Sequence, residues 1–313
     1  MNPPILIDRM QFYGTSACQL KCNFCPLSTD MELPKVHMTM DQFKTYADKA
    51  IAAGIHEFEL SPIVGDPLLD KDLAEKVQYL SAKPETTLIF IFTNLIGLNT
   101  KFLDAVRDCP LFEIKISIYG DNEGDYNERT NRDLYRVFIK KFKLLARYLV
   151  SNPEFTLSEI VVRFLGFTPK LQDIQERIND SDLYRVLYQL LIFEHIDIRN
   201  IVGEGEDVNW VEDLIHVEET IHNNLPGPNK FGRTEVCEYL LKDNGTWPNG
   251  DTGICSCWFD INKKMILGNV NDSSYEELYG PGSLFETIKE EQANGLFRSL
   301  CKSCSWSTNK GQA

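Results

Sequence analysis

Eight of the nine cysteines in this 313-residue chain fall into two groups, one near each end. Cys18, Cys22 and Cys25 form a C-x3-C-x2-C spacing, while Cys237, Cys255, Cys257, Cys301 and Cys304 gather in the last third and close on a C-x2-C pair. The ninth, Cys109, follows a helical pattern and reads as a buried small hydrophobe. The first residues reach Asp8 and Arg9 too soon for the apolar region of a signal peptide. No apolar run nears the roughly 18 residues that span a bilayer. The expectation is a cytoplasmic chain with no membrane partner, and there clustered thiols are more often metal ligands or catalytic groups than disulfides. Thirty-two basic residues against 46 acidic ones leave a net charge of −14. That balance repels phosphate backbones, so no nucleic-acid partner is expected.

The first group is one ligand short of the usual four-ligand structural zinc site. Three thiolates on one loop suit a [4Fe–4S] cubane, in which one iron can be left open for an exchangeable ligand. A zinc site completed by His37 is the competing reading. The second group offers enough thiolates for a fully ligated metal site. Taken alone, four thiolates with a C-x2-C pair suit structural zinc as well as a cluster.

Between the two groups the chain alternates strand and helix patterns. Strand character falls at residues 10–14, 57–63, 87–92, 114–117, 161–164 and 196–201. Apolar residues at helical spacing mark 41–53, 72–80, 100–107, 133–150 and 182–191. Such alternation predicts an α/β fold with a parallel sheet and right-handed crossovers. From residue 207 the pattern changes: a helix over 209–223, a Pro/Gly break, then the cysteine-rich stretch with a strand over 265–270 and short helices over 273–279 and 283–292.

The segment Cys18-Gln19-Leu20-Lys21-Cys22-Asn23-Phe24-Cys25 resembles the cysteine loop of the radical S-adenosylmethionine (SAM) enzymes. The resemblance extends over residues 10 to 203. Gly65-Asp66-Pro67, after the second strand, is similar to the family's G-E-P segment, whose backbone helps hold the SAM amino group; Asp stands in place of the commoner Glu. Thr93-Asn94 falls where the family often has Thr-Asn-Gly, with Leu95 in place of Gly. The resemblance further implies that Phe24, Asn94 and Ser117 lie against SAM and that Arg163 pairs with its carboxylate. It implies a partial (β/α)6 barrel with its chemistry at the carboxyl ends of the strands. The chain then divides into a barrel over 1–206 and a small extension over 207–313.

Residues 267–279 are similar to the segment between cluster ligands in the SPASM and twitch subgroup, whose extensions hold auxiliary [4Fe–4S] clusters. With cysteines for one cluster only, the extension resembles the shorter twitch form, of the type found in 2-deoxy-scyllo-inosamine dehydrogenase. Cys237, Cys255, Cys301 and Cys304 are the implied ligands. Cys257 has three readings: a replacement for Cys255, a core residue, or a hydrogen donor to a substrate radical. The resemblance implies three cofactors: a [4Fe–4S] cluster that binds SAM, SAM itself, and one auxiliary [4Fe–4S] cluster. It implies a reducing partner such as flavodoxin or ferredoxin.

The implied reaction is cleavage of SAM to a 5′-deoxyadenosyl radical that removes a substrate hydrogen. A fully ligated second cluster suits an electron acceptor, giving two-electron oxidation of a small polyol, sugar or aminocyclitol. Only 17 residues precede Cys18, which leaves no room there for the leader-peptide domain of many peptide-modifying relatives. The alternative is a maturase that oxidises, crosslinks or epimerises a ribosomally made peptide, where Cys257 as hydrogen donor would fit. A non-enzymatic metal scaffold is a third reading, which release of 5′-deoxyadenosine would exclude. His195, His216 and His222 read as structural, Glu276-Glu277 as a solvated helix face, and Trp247, Trp258 and Trp306 as shielding for the second metal site.

Overall fold

The computed structural model describes residues 7–28, 35–152, 159–164, 176–192, 196–197, 225–230, 232–255, 265–302 and 304. Six strands alternate with helices as the sequence predicts. They are β1 (Arg9–Phe12), β2 (Glu57–Glu59), β3 (Leu88–Thr93), β4 (Phe112–Ile118), β5 (Glu159–Phe164) and β6 (Ile196–Asp197). All five neighbouring pairs are parallel. The helices are α1 (Met40–Ala52), α2 (Leu73–Ser81), α3 (Thr100–Ala105), α4 (Glu123–Thr130), α5 (Tyr135–Ser151) and α6 (Asp182–Ile192). The extension adds β7 (Asp243–Thr246), β8 (Asp251–Gly253) and β9 (Ile266–Asn269), with α7 (Glu238–Lys242), α8 (Tyr275–Tyr279) and α9 (Leu284–Ala293).

The nine strands form one sheet in the order β6-β5-β4-β3-β2-β1-β7-β8-β9. This is an α/β fold with a parallel-dominated sheet, matching a partial radical SAM barrel. Along each strand, alternate residues divide between two faces. Met10, Phe12, Phe58, Ile89, Ile91, Ile114 and Ile116 join the helix residues Phe43, Ala47, Val77, Leu80, Phe138 and Phe142 in the core. The opposite face is polar. There Arg9 pairs with Glu57 at 2.9 Å, Gln11 donates to Glu59 at 3.2 Å, and Lys115 meets Glu113 at 3.5 Å.

Three differences from the sequence expectation have local causes. The second strand ends at Glu59 rather than residue 63, because Pro62 has no N–H to give the ladder. Helix α4 is absent from the sequence reading because Glu123-Gly124-Asp125-Tyr126-Asn127-Glu128-Arg129-Thr130 has no apolar stripe. It is held by its ends instead. Asn122 caps its first turn, accepting from the Asp125 N–H, and Asn131 closes it in the left-handed conformation at φ 48°. Strand β7 is also unforeseen, since Asp243-Asn244-Gly245-Thr246 has the composition of a turn. It is extended because it docks parallel on β1, from Arg9–Asp243 to Phe12–Thr246. Gly245 is required there, because the Tyr13 hydroxyl occupies the space a Cβ would fill. Among the expected elements, 198–201 of the sixth strand and the helix over 209–223 lie outside the described residues.

Candidate radical SAM site and a second thiol centre

The carboxyl ends of β1 to β4 converge on the first cysteine group. The loop after β1 is fastened to α4: the Lys21 and Asn23 N–H groups donate to the carbonyls of Thr130 at 3.0 Å and Arg129 at 2.9 Å. Asn131 Nδ2 also donates to the Lys21 carbonyl at 3.0 Å. Within the loop, Cys25 N–H donates to the Cys22 carbonyl at 2.9 Å, and Leu20 N–H points at Cys18 Sγ at 3.4 Å. Burial pushes the Cys18 thiol up to about 12, with the Asp66 charge adding to it, and the Cys25 thiol up to about 11. Cys22 moves the same way, again through burial. Without a metal these thiols hold their protons at neutral pH, so loading the site must release them.

Gly65-Asp66-Pro67 lies against this loop. Gly65 has φ 136°, and a Cβ there would stand 2.7 Å from the Thr15 carbonyl oxygen, 2.9 Å from Pro62 Cγ and 3.2 Å from the Ala17 carbonyl oxygen. Asp66 N–H donates to that Ala17 carbonyl at 2.7 Å. The Asp66 carboxylate, only 2% exposed, accepts from Thr93 Oγ1, Asn94 N–H at 2.7 Å and Leu68 N–H at 3.0 Å. Burial raises its pKa to about 6. Asp66 is therefore a tie between the ends of β2 and β3, a role for its side chain that the sequence does not show. Asn94 continues the chain of contacts by donating to Cys18 Sγ at 3.5 Å and to Gln19 at 3.3 Å.

Leu95, which replaces the glycine expected after Thr93-Asn94, keeps a left-handed φ of 69°. The turn is held by Leu95 N–H to Thr93 Oγ1 at 2.9 Å and Ile96 N–H to Asn94 Oδ1 at 2.9 Å. The conformation costs a leucine about 1–2 kcal/mol. Full burial of its side chain returns about 1.5–3 kcal/mol. Ser117, buried at the end of β4, lies opposite Arg163 on β5. The Arg163 side chain lies outside what is described. Phe24 stacks on Tyr119 with ring centroids 5.9 Å apart. His37 takes no place among the thiols: its Nε2 lies 3.5 Å from Asp72. A further residue missed by sequence reading is Lys76. Its buried ammonium joins Asp70 at 2.6 Å and the Met38 carbonyl at 2.7 Å, clamping the segment after Pro67 to the exit of the cysteine loop.

The second group converges although its members are far apart in sequence. Burial holds the Cys301 thiol well above the ordinary range, and charge on Cys255, Cys304 and Cys237 pushes it the same way. Asn229 Nδ2 donates to the carbonyls of Cys301 at 2.7 Å and Cys304 at 3.1 Å, and Arg233 donates to the latter at 3.0 Å. Cys237 N–H is held by Gln292 Oε1 at 2.9 Å. Arg233 is the cation whose charge opposes the upward shift of Cys301. Cys257, Trp258, Trp306, His195, His216 and His222 lie outside the described residues. Trp247 packs edge-on against Tyr13, 4.7 Å between centroids. Glu277 completes the capping box of α8 with Ser274.

Zn–S bonds of about 2.3 Å put tetrahedral thiolates about 3.8 Å apart. Among the described residues, the ligand-type trio within 4.8 Å of one another is His37, Asp70 and Asp72; no three thiols are that close. Among the described residues, no helix is long and apolar enough to cross a membrane, and no disulfide joins the described cysteines.

The chain is 29% identical over 205 residues to the GTP 3′,8-cyclase of Aquifex aeolicus (strain VF5), covering 60% of this chain and 62% of that protein. It thus spans less than two thirds of that relative's length. Its fold is similar to that of BtrN in complex with AdoMet and 2-DOIA, with a TM-score of 0.51 at 16% identity over 97% of this chain and 94% of that one. It is also similar to anSMEcpe with bound AdoMet and Cp18Cys peptide, with a TM-score of 0.53 at 15% identity over 95% and 86%. The profile of the Radical SAM superfamily matches residues 12–169, from the end of β1 past β5. The chain belongs to the radical SAM superfamily.

Proposed function

We propose that this enzyme carries out a two-electron oxidation of a small polyol, sugar or aminocyclitol, with a second [4Fe–4S] cluster, held by Cys237, Cys255, Cys301 and Cys304, as electron acceptor. The observation that supports this reading is the convergence of Cys237, Cys255 and Cys304 on the buried Cys301 thiol, a donor set that suits a fully ligated cluster. Bound at Cys18, Cys22 and Cys25, a cluster and SAM supply a 5′-deoxyadenosyl radical able to take hydrogen from an unactivated carbon. The chain's own residues do the rest. Gly65 and Asp66 shape the turn that meets the SAM amino group, Asn94 and Ser117 line the same strand ends, and Phe24 flanks them with Tyr119. Arg163 is assigned to the SAM carboxylate.

The polar face of the sheet supports the substrate class. Its described cations, Arg9 and Lys115, are each matched by a glutamate, and Glu59 is buried among them. Such a lining suits hydroxyl and amine donors and opposes a triphosphate, whose several charges need unpaired cations. That argues against carrying over the nucleotide substrate of the cyclases. The second reading, a peptide maturase, draws on the fold neighbour that holds a peptide. The deciding experiment supplies SAM and dithionite and measures 5′-deoxyadenosine against aminocyclitols, polyols, GTP and peptides. Substrate-dependent release with a ketone product supports the proposal. Release only with a peptide or GTP overturns it.

A further inference from the structure

Helix α5 departs from the charge of the whole chain. Its 17 residues carry Arg136, Lys140, Lys141, Lys143 and Arg147 and no acid, although acids outnumber bases 46 to 32 overall. Lys141 turns inward to the Leu98 carbonyl at 2.7 Å. The other four recur at helical spacing on one face and line a groove of about 540 Å³. Arg136 meets Glu123 at 2.9 Å and Lys143 meets Asp182 at 2.8 Å. Lys140 and Arg147 stand exposed, with no ion pair among the described residues.

The groove is joined to the first thiol site. Tyr135, at its edge, begins a file of rings that passes to Tyr126 at 5.5 Å, Tyr119 at 6.1 Å and Phe24 at 5.9 Å. Burial raises the phenols of Tyr119 and Tyr126, and charge on Cys22 and Cys18 adds to the shift in both, so both rings lie near the thiols. Helix α4, which contributes Tyr126, also holds the backbone of the cysteine loop.

We propose that the basic groove of α5 docks an acidic one-electron carrier protein, and that its electron reaches the Cys18, Cys22 and Cys25 site past Tyr135, Tyr126 and Tyr119. The proposal rests on the radical SAM reading of that site. The transfer moves one electron: the carrier is oxidised by one, the cluster those thiols would hold is reduced by one, and no bond or proton changes place. A chain of net charge −14 repels an acidic carrier on the whole, so a basic face favours such a partner in one orientation. Electron-transfer encounters are small and transient, and a single helix face is enough for one.

The test uses an acidic flavodoxin as probe and a Lys140→Glu/Arg147→Glu variant of the full chain. Kd is measured by calorimetry on the metal-free and the cluster-loaded protein, at low and high ionic strength. 5′-Deoxyadenosine formation is followed with reduced flavodoxin and, separately, with dithionite. The expected result is at least tenfold weaker, less salt-sensitive binding and at least tenfold slower flavodoxin-driven cleavage, with dithionite-driven cleavage unchanged. Lys140→Gln/Arg147→Gln should fall between, and Lys71→Glu/Lys101→Glu, the same charge change on other faces, should bind as wild type does. Equal binding by the α5 and control variants overturns the docking surface, as does a dimer of this chain that only the α5 variant breaks. Failure with dithionite in every form would instead strike at the radical SAM reading of the first site.

Discussion

Gly65→Ala tests whether the turn after β2 and the cysteine loop are one rigid unit. Gly65 sits at φ 136°, a conformation open to glycine and closed to alanine at a cost of about 1–3 kcal/mol. The added Cβ also meets two carbonyl oxygens of the cysteine loop, at 2.7 and 3.2 Å, and Pro62 Cγ at 2.9 Å. Overpacking of this kind costs a further ~1–3 kcal/mol. The carbonyls are backbone, so relief requires the loop to move, which strains the Asp66–Ala17 hydrogen bond and displaces Cys18. Gly54→Ala separates the two effects, because Gly54 has φ 91° with nothing within 4 Å of its Cβ position. The expectation is a loss of about 1–2 kcal/mol for Gly54→Ala and roughly 2–6 kcal/mol for Gly65→Ala. In differential scanning fluorimetry of the cluster-loaded proteins, each kcal/mol corresponds to about 2–4 °C or slightly less for a chain of this length. Iron content and SAM affinity should fall for Gly65→Ala alone. Equal melting shifts for the two variants, with full iron and unchanged SAM affinity, would refute the reasoning.

Four other outcomes are expected. Anaerobic reconstitution should give about eight irons in the wild type and about four in a Cys18/Cys22/Cys25→Ala variant; four and none, with zinc in the remainder, would remove the electron-accepting role. Because burial raises the Cys18 and Cys25 thiols to about 12 and 11, cluster assembly should release protons into weak buffer and strengthen as pH rises. The sign for stability is the reverse: the metal-free chain keeps these thiols' contribution below an unfolded thiol pKa of about 8.5 and loses it above, as urea melts at pH 7 and 10 would show. Lys76→Met leaves the Asp70 carboxylate, 2% exposed, without its cation. It should cost about 3–5 kcal/mol by denaturant titration, with partial recovery in Lys76→Met/Asp70→Asn. Arg233→Met removes the cation beside the four thiols of the extension and should lower that cluster's reduction potential in EPR-monitored titration; an unchanged potential would place Arg233 in a packing role.

The first cysteine loop and the alternation of strands and helices were legible in the sequence because both are local. Three thiols within eight residues announce a metal loop whatever surrounds them, and an apolar stripe marks a buried helix face before its partner is known. Gly65, Asn94, Ser117 and Arg163 were singled out by the family resemblance, each at or near the end of a successive strand. What only the tertiary structure decided depends on partners distant in sequence. Strand β7 is a turn-like tetrapeptide made extended by β1, more than 230 residues earlier. Helix α4 has no apolar stripe and persists through its caps and the loop it holds. Asp66 is a turn residue by sequence, and only the approach of Thr93 and Asn94 makes its carboxylate a tie. The convergence of Cys237, Cys255, Cys301 and Cys304 was implied by counting thiols. The groups that surround them, Asn229, Arg233 and Gln292, meet them only once the chain has folded, because Coulomb and packing contacts act through space and not along the backbone.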